Sequence, residues 1–160
     1  MSRYREEPPV PEHELPDSAV TATLLAFFVG PEEYVVDLGR VLEILTPVPV
    51  LAVPHTPGFI EGVAHLRTGV VPVLNARLRL GAKPPAPKLK EKLLVHRLGE
   101  RRVATRVDGV TEVVRAARTD LRPSPSLQAP GGRSFVLGVC SAGGKMRLLL
   151  DVRALWQSDP

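Results

Sequence analysis

The sequence predicts a mostly β fold with short helices, assembled from two related halves that share one apolar core. Three observations carry that prediction. Seventeen prolines and 13 glycines among 160 residues leave little room for long helices and suit short strands joined by turns. The hydrophobic share is 44% but aromatics make up only 4%, so the core is aliphatic, and β-branched aliphatic runs favour strands. The order of apolar and turn residues also recurs between the halves.

The elements follow in chain order. Residues 1–20 hold Glu6, Glu7, Glu12, Glu14 and Asp17 with four prolines, which reads as a flexible acidic tail before a single domain over 21–157. Thr23–Val29 is a strand, Gly30-Pro31 a turn, and Tyr34–Leu38 its hairpin partner. Val41, Ile44 and Leu45 lie three and four apart, which predicts a helical turn after Gly39. A second short turn is expected where Pro57–Arg67 begins. Val70–Leu74 reads as a strand whose Pro72 demands an edge position or a bulge.

Asn75 caps and Gly81 ends a short helix. The proline-rich stretch Lys83–Lys88 is a solvated connection. Leu93–Leu98 and Arg102–Val107 form another hairpin around Gly99-Glu100. A Pro/Ser/Gly loop covers about 122–133. The strands Ser134–Val139 and Met146–Leu150 follow, and Asp151 caps a last helical turn.

Gly30, Tyr34, Leu38, Val41, Glu43, Ile44 and Leu45 correspond to Gly99, Val103, Val107, Val110, Glu112, Val113 and Val114, all 69 residues later. Phe59, Gly62, Val63, Leu74, Asn75 and Arg77 correspond to Phe135, Gly138, Val139, Leu150, Asp151 and Arg153 at an offset of 76. The change of offset falls at the 122–133 loop. Chance recurrence of common residues is the alternative; the shared order argues for two small units that need one another's core.

Chemistry-bearing patterns are scarce. His13, His55, His65 and His96 lack metal-ligand spacing, and the chain has no HExxH, paired-cysteine or phosphate-cradling glycine motif. The lone Cys140 reads as a small buried thiol. No catalytic, metal or cofactor site is therefore expected. The absence of an 18-residue apolar run, of an apolar N-terminal run and of a disulfide predicts a cytoplasmic protein. A formal charge of +4 leaves a basic β-barrel nucleic-acid binder as the alternative class. The arginines, however, alternate with apolar residues as on the wet face of strands, and the aromatics that would stack bases are few.

One segment is more specific. Val53-Pro54 precedes Phe59-Ile60-Glu61-Gly62-Val63-Ala64-His65-Leu66-Arg67, and then Val70-Val71-Pro72-Val73-Leu74-Asn75-Ala76-Arg77. With Val41-Leu42-Glu43-Ile44 upstream, and Asp108-Gly109-Val110 and Leu149-Leu150-Asp151 downstream, it resembles the CheW-like family, the coupling proteins of bacterial chemotaxis. That resemblance implies two intertwined five-stranded SH3-like β-barrel subdomains sharing a hydrophobic core, with neither catalysis nor cofactor. It implies a stand-alone adaptor between the cytoplasmic domain of methyl-accepting chemoreceptors and the regulatory domain of a CheA-type histidine kinase, which itself contains the same domain. Nucleic acid is not an expected partner, and membrane association would run through receptors only.

By the same resemblance Arg67 matches an exposed arginine used in receptor coupling and array assembly. Val41 and Glu43 match partner-contact positions, and Gly62 a glycine near the coupling surface. The plain readings are a core valine, a solvated glutamate and an ordinary surface arginine. Ala64-His65 stands for the family's Ile-Asn, Thr68 for its glycine after Arg, and Asn75 for its Asp. A β-branched Thr68 at positive φ is strained unless Gly69 takes over the turn; an altered turn implies a weakened kinase contact.

Overall fold

The computed structural model describes residues 20–85, 88–123 and 134–157. Apart from the backbone of Val20, the acidic segment lies outside them, as do residues 86–87 of the proline-rich connection and most of the second loop. Strand β1 (Val20–Val29) turns through Gly30-Pro31 into β2 (Glu32–Asp37), and a 3-10 turn at Leu38–Arg40 leads into β3 (Val41–Leu45). Then come β4 (Val50–Leu51), β5 (Ile60–Leu66), β6 (Gly69–Asn75) and helix α1 (Ala76–Leu80). The second half runs β7 (Lys92–Leu98), β8 (Arg101–Val107), β9 (Gly109–Ala117), β10 (Leu121–Pro123), β11 (Val136–Cys140), β12 (Arg147–Leu150) and α2 (Val152–Leu155).

Among the described residues these strands form two mixed six-stranded sheets, in the orders β10-β11-β12-β2-β1-β9 and β3-β7-β8-β6-β5-β4. Each half thus lends its first hairpin to the other half's sheet. The register reproduces the repeat pair by pair. Phe27↔Tyr34 in β1–β2 is matched by His96↔Val103 in β7–β8. The parallel pair Leu149↔Val35 is matched by Val73↔Ala104, and Val110↔Phe27 by Val41↔His96.

The expected pair of five-stranded SH3-like barrels is not what forms. Closure requires the two edge strands of a sheet to pair, and neither β10 with β9 nor β3 with β4 does so. The additional edge strands β4 and β10 are two and three residues long and lie among prolines, so no alternating pattern announced them. The helical turn expected over Val41–Leu45 is also replaced. Those residues pair with β7 from Val41↔His96 to Leu45↔Leu93 across a bulge, a long-range ladder that outweighs their helix-like spacing. The 57–67 segment makes a single turn, with Ile60 N donating to Pro57 O at 2.9 Å, and then continues as β5.

Pro72 sits in an interior strand rather than at an edge. On one side Pro72 stands opposite Val63 in the antiparallel ladder with β5; on the other, parallel pairing with β8 begins only at Val73, so the missing N–H takes nothing from the parallel ladder. All three predicted caps are present. Asn75 Oδ1 accepts from Leu78 N at 3.0 Å, Gly81 closes α1 in the left-handed region, and Asp151 Oδ1 accepts from Ala154 N at 3.2 Å. Asn75 N and Asp151 N also donate to Phe59 O and Phe135 O, each at 2.8 Å.

Alternation divides the interior into three clusters. Leu25, Phe27, Val29, Tyr34 and Val36 meet Leu74, Leu94, Val107, Leu150 and Leu155 between the sheets. The opposite faces gather Leu24, Ala26, Val35 and Cys140 on one sheet, and Ala64, Val73, Leu93 and Val95 on the other. Cys140 is buried there as a small apolar residue. Arg79 joins the halves: its guanidinium lies 4.1 Å from the Phe59 ring centroid and 5.0 Å from that of Phe135. Its Nε donates to Leu155 O at 2.9 Å, so one cation bridges two repeat-related aromatic rings and the end of α2.

Candidate partner-binding surface

The four residues singled out by the motifs occupy two separate places. Val41 and Glu43 lie half-buried on the edge strand β3, and Val41 packs against the inter-sheet core. Leu42 and Ile44 point outward, 42% and 43% exposed, so this edge offers its apolar residues to solvent. The motif match passed over both, although the alternation of Val-Leu-Glu-Ile-Leu contained the signal. Gly62 and Arg67 belong to β5 and the turn after it, with β7, β8 and β6 standing between them and β3.

Arg67 is exposed in the two-residue turn between β5 and β6. Thr68 beside it carries no positive φ; Gly69 does, at +132°. The left-handed requirement has moved one residue along to a glycine, so the turn is rebuilt without strain at Thr68. Next to this turn is a shallow apolar depression of about 420 Å³ lined by Pro49, Val50, Leu51, Val63, His65 and Val70. Leu51 and Val70 are 71% and 64% exposed. Gly62 itself is buried beneath Leu51, where the backbone of β4 crosses it.

The repeat supplies a counterpart of this depression on the other sheet, with different chemistry. It is lined by Asp120, Arg122, Pro123, Val139, Ser141 and Met146. Val63 corresponds to Val139, His65 to Ser141 and Val70 to Met146, each 76 residues apart. One end of the molecule is therefore aliphatic beside an arginine, and the other carries a carboxylate, a guanidinium and a hydroxyl.

Much of the positive charge is committed internally. Arg106 grips Glu61 with Nε–Oε2 at 2.6 Å and Nη2–Oε1 at 2.9 Å and also reaches Glu91 at 3.2 Å. Arg77 lies 3.5 Å from buried Asp108, whose Oδ2 accepts from Gly30 N at 2.6 Å. Among the described residues no group of three or more His, Cys, Asp and Glu can hold a metal ion. No helix among them is long and apolar enough to cross a membrane.

His96 is 3% exposed, and burial pushes its imidazole down from the ordinary 6.5 to about 4. The folded protein thus holds His96 neutral while the unfolded chain protonates near 6.5. Its contribution is intact above pH 6.5 and is lost as pH falls toward 4, by about 2 kcal/mol at pH 5. Urea unfolding between pH 7 and 5 should show this slope in the wild type. His96→Phe should flatten it, because Phe27 occupies the equivalent place in the first half.

The family model of the CheW-like domain matches residues 23–159. The chain belongs to the CheW-like family. It is 32% identical to the chemotaxis protein CheW of Rhizobium meliloti over 136 residues, which cover 85% of this chain and 88% of that one. The chemotaxis protein CheW of Klebsiella aerogenes is 30% identical over 146 residues, covering 91% and 88%. The crystal structure of the scaffolding protein TtCheW from Thermoanaerobacter tengcongensis shares the fold, with a TM-score of 0.77 at 24% identity over 86% of this chain and 94% of that chain. As a CheW-like protein the chain is a non-catalytic adaptor that couples methyl-accepting chemoreceptors to a CheA-type histidine kinase. The nucleic-acid alternative gives way to that role.

Proposed function

We propose that this CheW-like adaptor meets its two partners on two parts of one sheet. The β3 edge, with Val41, Glu43 and the exposed Leu42 and Ile44, takes the receptor. The Arg67 end, with the exposed Leu51 and Val70, takes the kinase, in place of the receptor coupling that the family resemblance implies for Arg67. The observation that carries this reading is the separation of the two places by three strands, which leaves each free while the other is occupied. The Arg67 end also has the composition of an interface centre: exposed aliphatic side chains beside a guanidinium that offers directed donors to a carboxylate or carbonyl. Because the kinase contains the same domain, an end of this fold is a surface both proteins possess.

The unstrained turn at Thr68 removes the backbone reason for a weakened kinase contact, so binding of ordinary strength is expected for both partners. Arg67→Glu should weaken kinase binding about tenfold or more and leave receptor binding and the unfolding midpoint unchanged. Glu43→Lys should do the converse. Titration calorimetry of each variant against a receptor cytoplasmic fragment and the kinase regulatory domain tests the assignment. Loss of both partners in one variant, or of neither in both, would overturn it.

A further inference from the structure

A cavity of about 290 Å³ opens between the two sheets; it shares no lining with the depression beside Arg67 and borders the start of β3, where Arg40 precedes Val41 and Val41 pairs with His96. His96 lines it, and His96 Nε2 has no hydrogen-bond partner among the described residues. A polar nitrogen buried without a partner is uncommon, because it forfeits the hydrogen bond that water gives it in the unfolded chain. Arg40, Arg97 and Arg153 line the same cavity, and among the described residues no hydrogen bond or ion pair engages the guanidinium of any of them.

The repeat shows that this arrangement is particular to one side of the molecule. The place equivalent to His96 holds Phe27, which is fully buried and apolar. The arginine equivalent to Arg153 is Arg77, and there Asp108 answers its charge. Asp37 and Asp151 also line the cavity, but each gives a carboxylate oxygen to a backbone N–H, those of Gly39 and Ala154. Three arginines against two aspartates leave a surplus of one positive charge. The remaining wall is apolar, with Val36, Leu98 and Leu150 prominent.

We propose that this cavity binds a small organic monocarboxylate, its carboxylate among His96 and the three arginines and its short apolar body against Val36, Leu98 and Leu150. A single negative charge matches the surplus, and a cavity at the small end of ligand pockets, about 300 Å³ and upward, suits a short acid. The apolar wall favours such an acid over inorganic phosphate, which would leave that wall in contact with solvent.

The test is ligand-observed saturation-transfer NMR on the full chain with hexanoate. Phosphate, which has no carbon-bound protons and is read through the wild-type His96 ring resonances, serves as charge without an apolar body; hexanol, read by both signals, is the body without charge. Hexanoate should bind saturably and shift the His96 resonances, while phosphate and hexanol do neither. His96→Phe should abolish the transfer. Arg153→Gln, an exposed change that leaves the core untouched, should raise the half-saturation concentration about fivefold or more. Absence of saturable hexanoate binding, an equal response to phosphate, or binding unchanged in Arg153→Gln would each overturn the proposal.

Discussion

Replacing Gly62 by valine is expected to lower the unfolding free energy by about 4 kcal/mol. Two effects combine. Gly62 has φ +142°, a conformation in which a side chain on a non-glycine residue costs about 1–3 kcal/mol. A Cβ there would also fall inside the Leu51 carbonyl oxygen and 2.9 Å from Ala52 Cα, an overpacking of similar size. At about 2–4 °C per kcal/mol for a chain of this length, the melting midpoint should fall by roughly 10 °C.

The repeat provides an internal control. A Cβ on Gly138 meets the Arg122 carbonyl in the same way, with Pro123 Cα at 2.9 Å, but its φ is not positive. Gly138→Val should therefore cost less than Gly62→Val, and calorimetry that found the two equal would discount the dihedral term. Gly62 is buried, so its link to the proposed kinase surface runs through Leu51 above it. Gly62→Val should lose stability and kinase binding together, whereas Arg67→Glu loses binding alone.

The second large effect is expected at Arg147. Its guanidinium is buried between Glu33, at 3.0 Å from Nε to Oε2, and Glu112. Glu33 is itself buried, and it also accepts from Thr111 at 2.7 Å and faces Lys145 at 3.1 Å. Burial raises the Glu33 carboxyl, but the hydrogen bonds from Thr111, Arg147 and Lys145 outweigh it and hold the group below its ordinary 4.5. Glu33 consequently contributes stability above about pH 4.5 and loses it as pH falls through the lower folded value.

Arg147→Leu removes the best-buried partner and leaves a buried carboxylate under-compensated, at a cost of about 3 kcal/mol at pH 7. In the variant the burial penalty is less opposed, so Glu33 keeps its proton to higher pH. The gap from the wild type should narrow as pH is lowered from 7 toward 4. Urea unfolding across that range measures it, and a gap that stayed constant would assign the loss to packing rather than charge.

The sequence by itself determined the local elements that rest on neighbouring residues. The hairpin around Gly30, the hairpin around Gly99, and the caps at Asn75, Gly81 and Asp151 depend on dihedral preference and on hydrogen bonds within a few residues. The repeat was legible for the same reason: equal demands at equal places left Gly30 with Gly99 and Asn75 with Asp151. The motifs around Arg67 were sufficient to point to the CheW-like family.

Only the tertiary structure decided how those elements were shared. Val41–Leu45 became a strand because β7 from the other half paired with it, and β4 and β10 were too short to show a period. Whether the sheets close depends on pairing between distant edges, which no local pattern encodes. The same holds for the binding surfaces: the three strands that part Val41 and Glu43 from Arg67, and the burial of Gly62 beneath Leu51, follow from the exchange of hairpins. Local sequence sets what each residue can do, and long-range strand pairing sets which residues do it together.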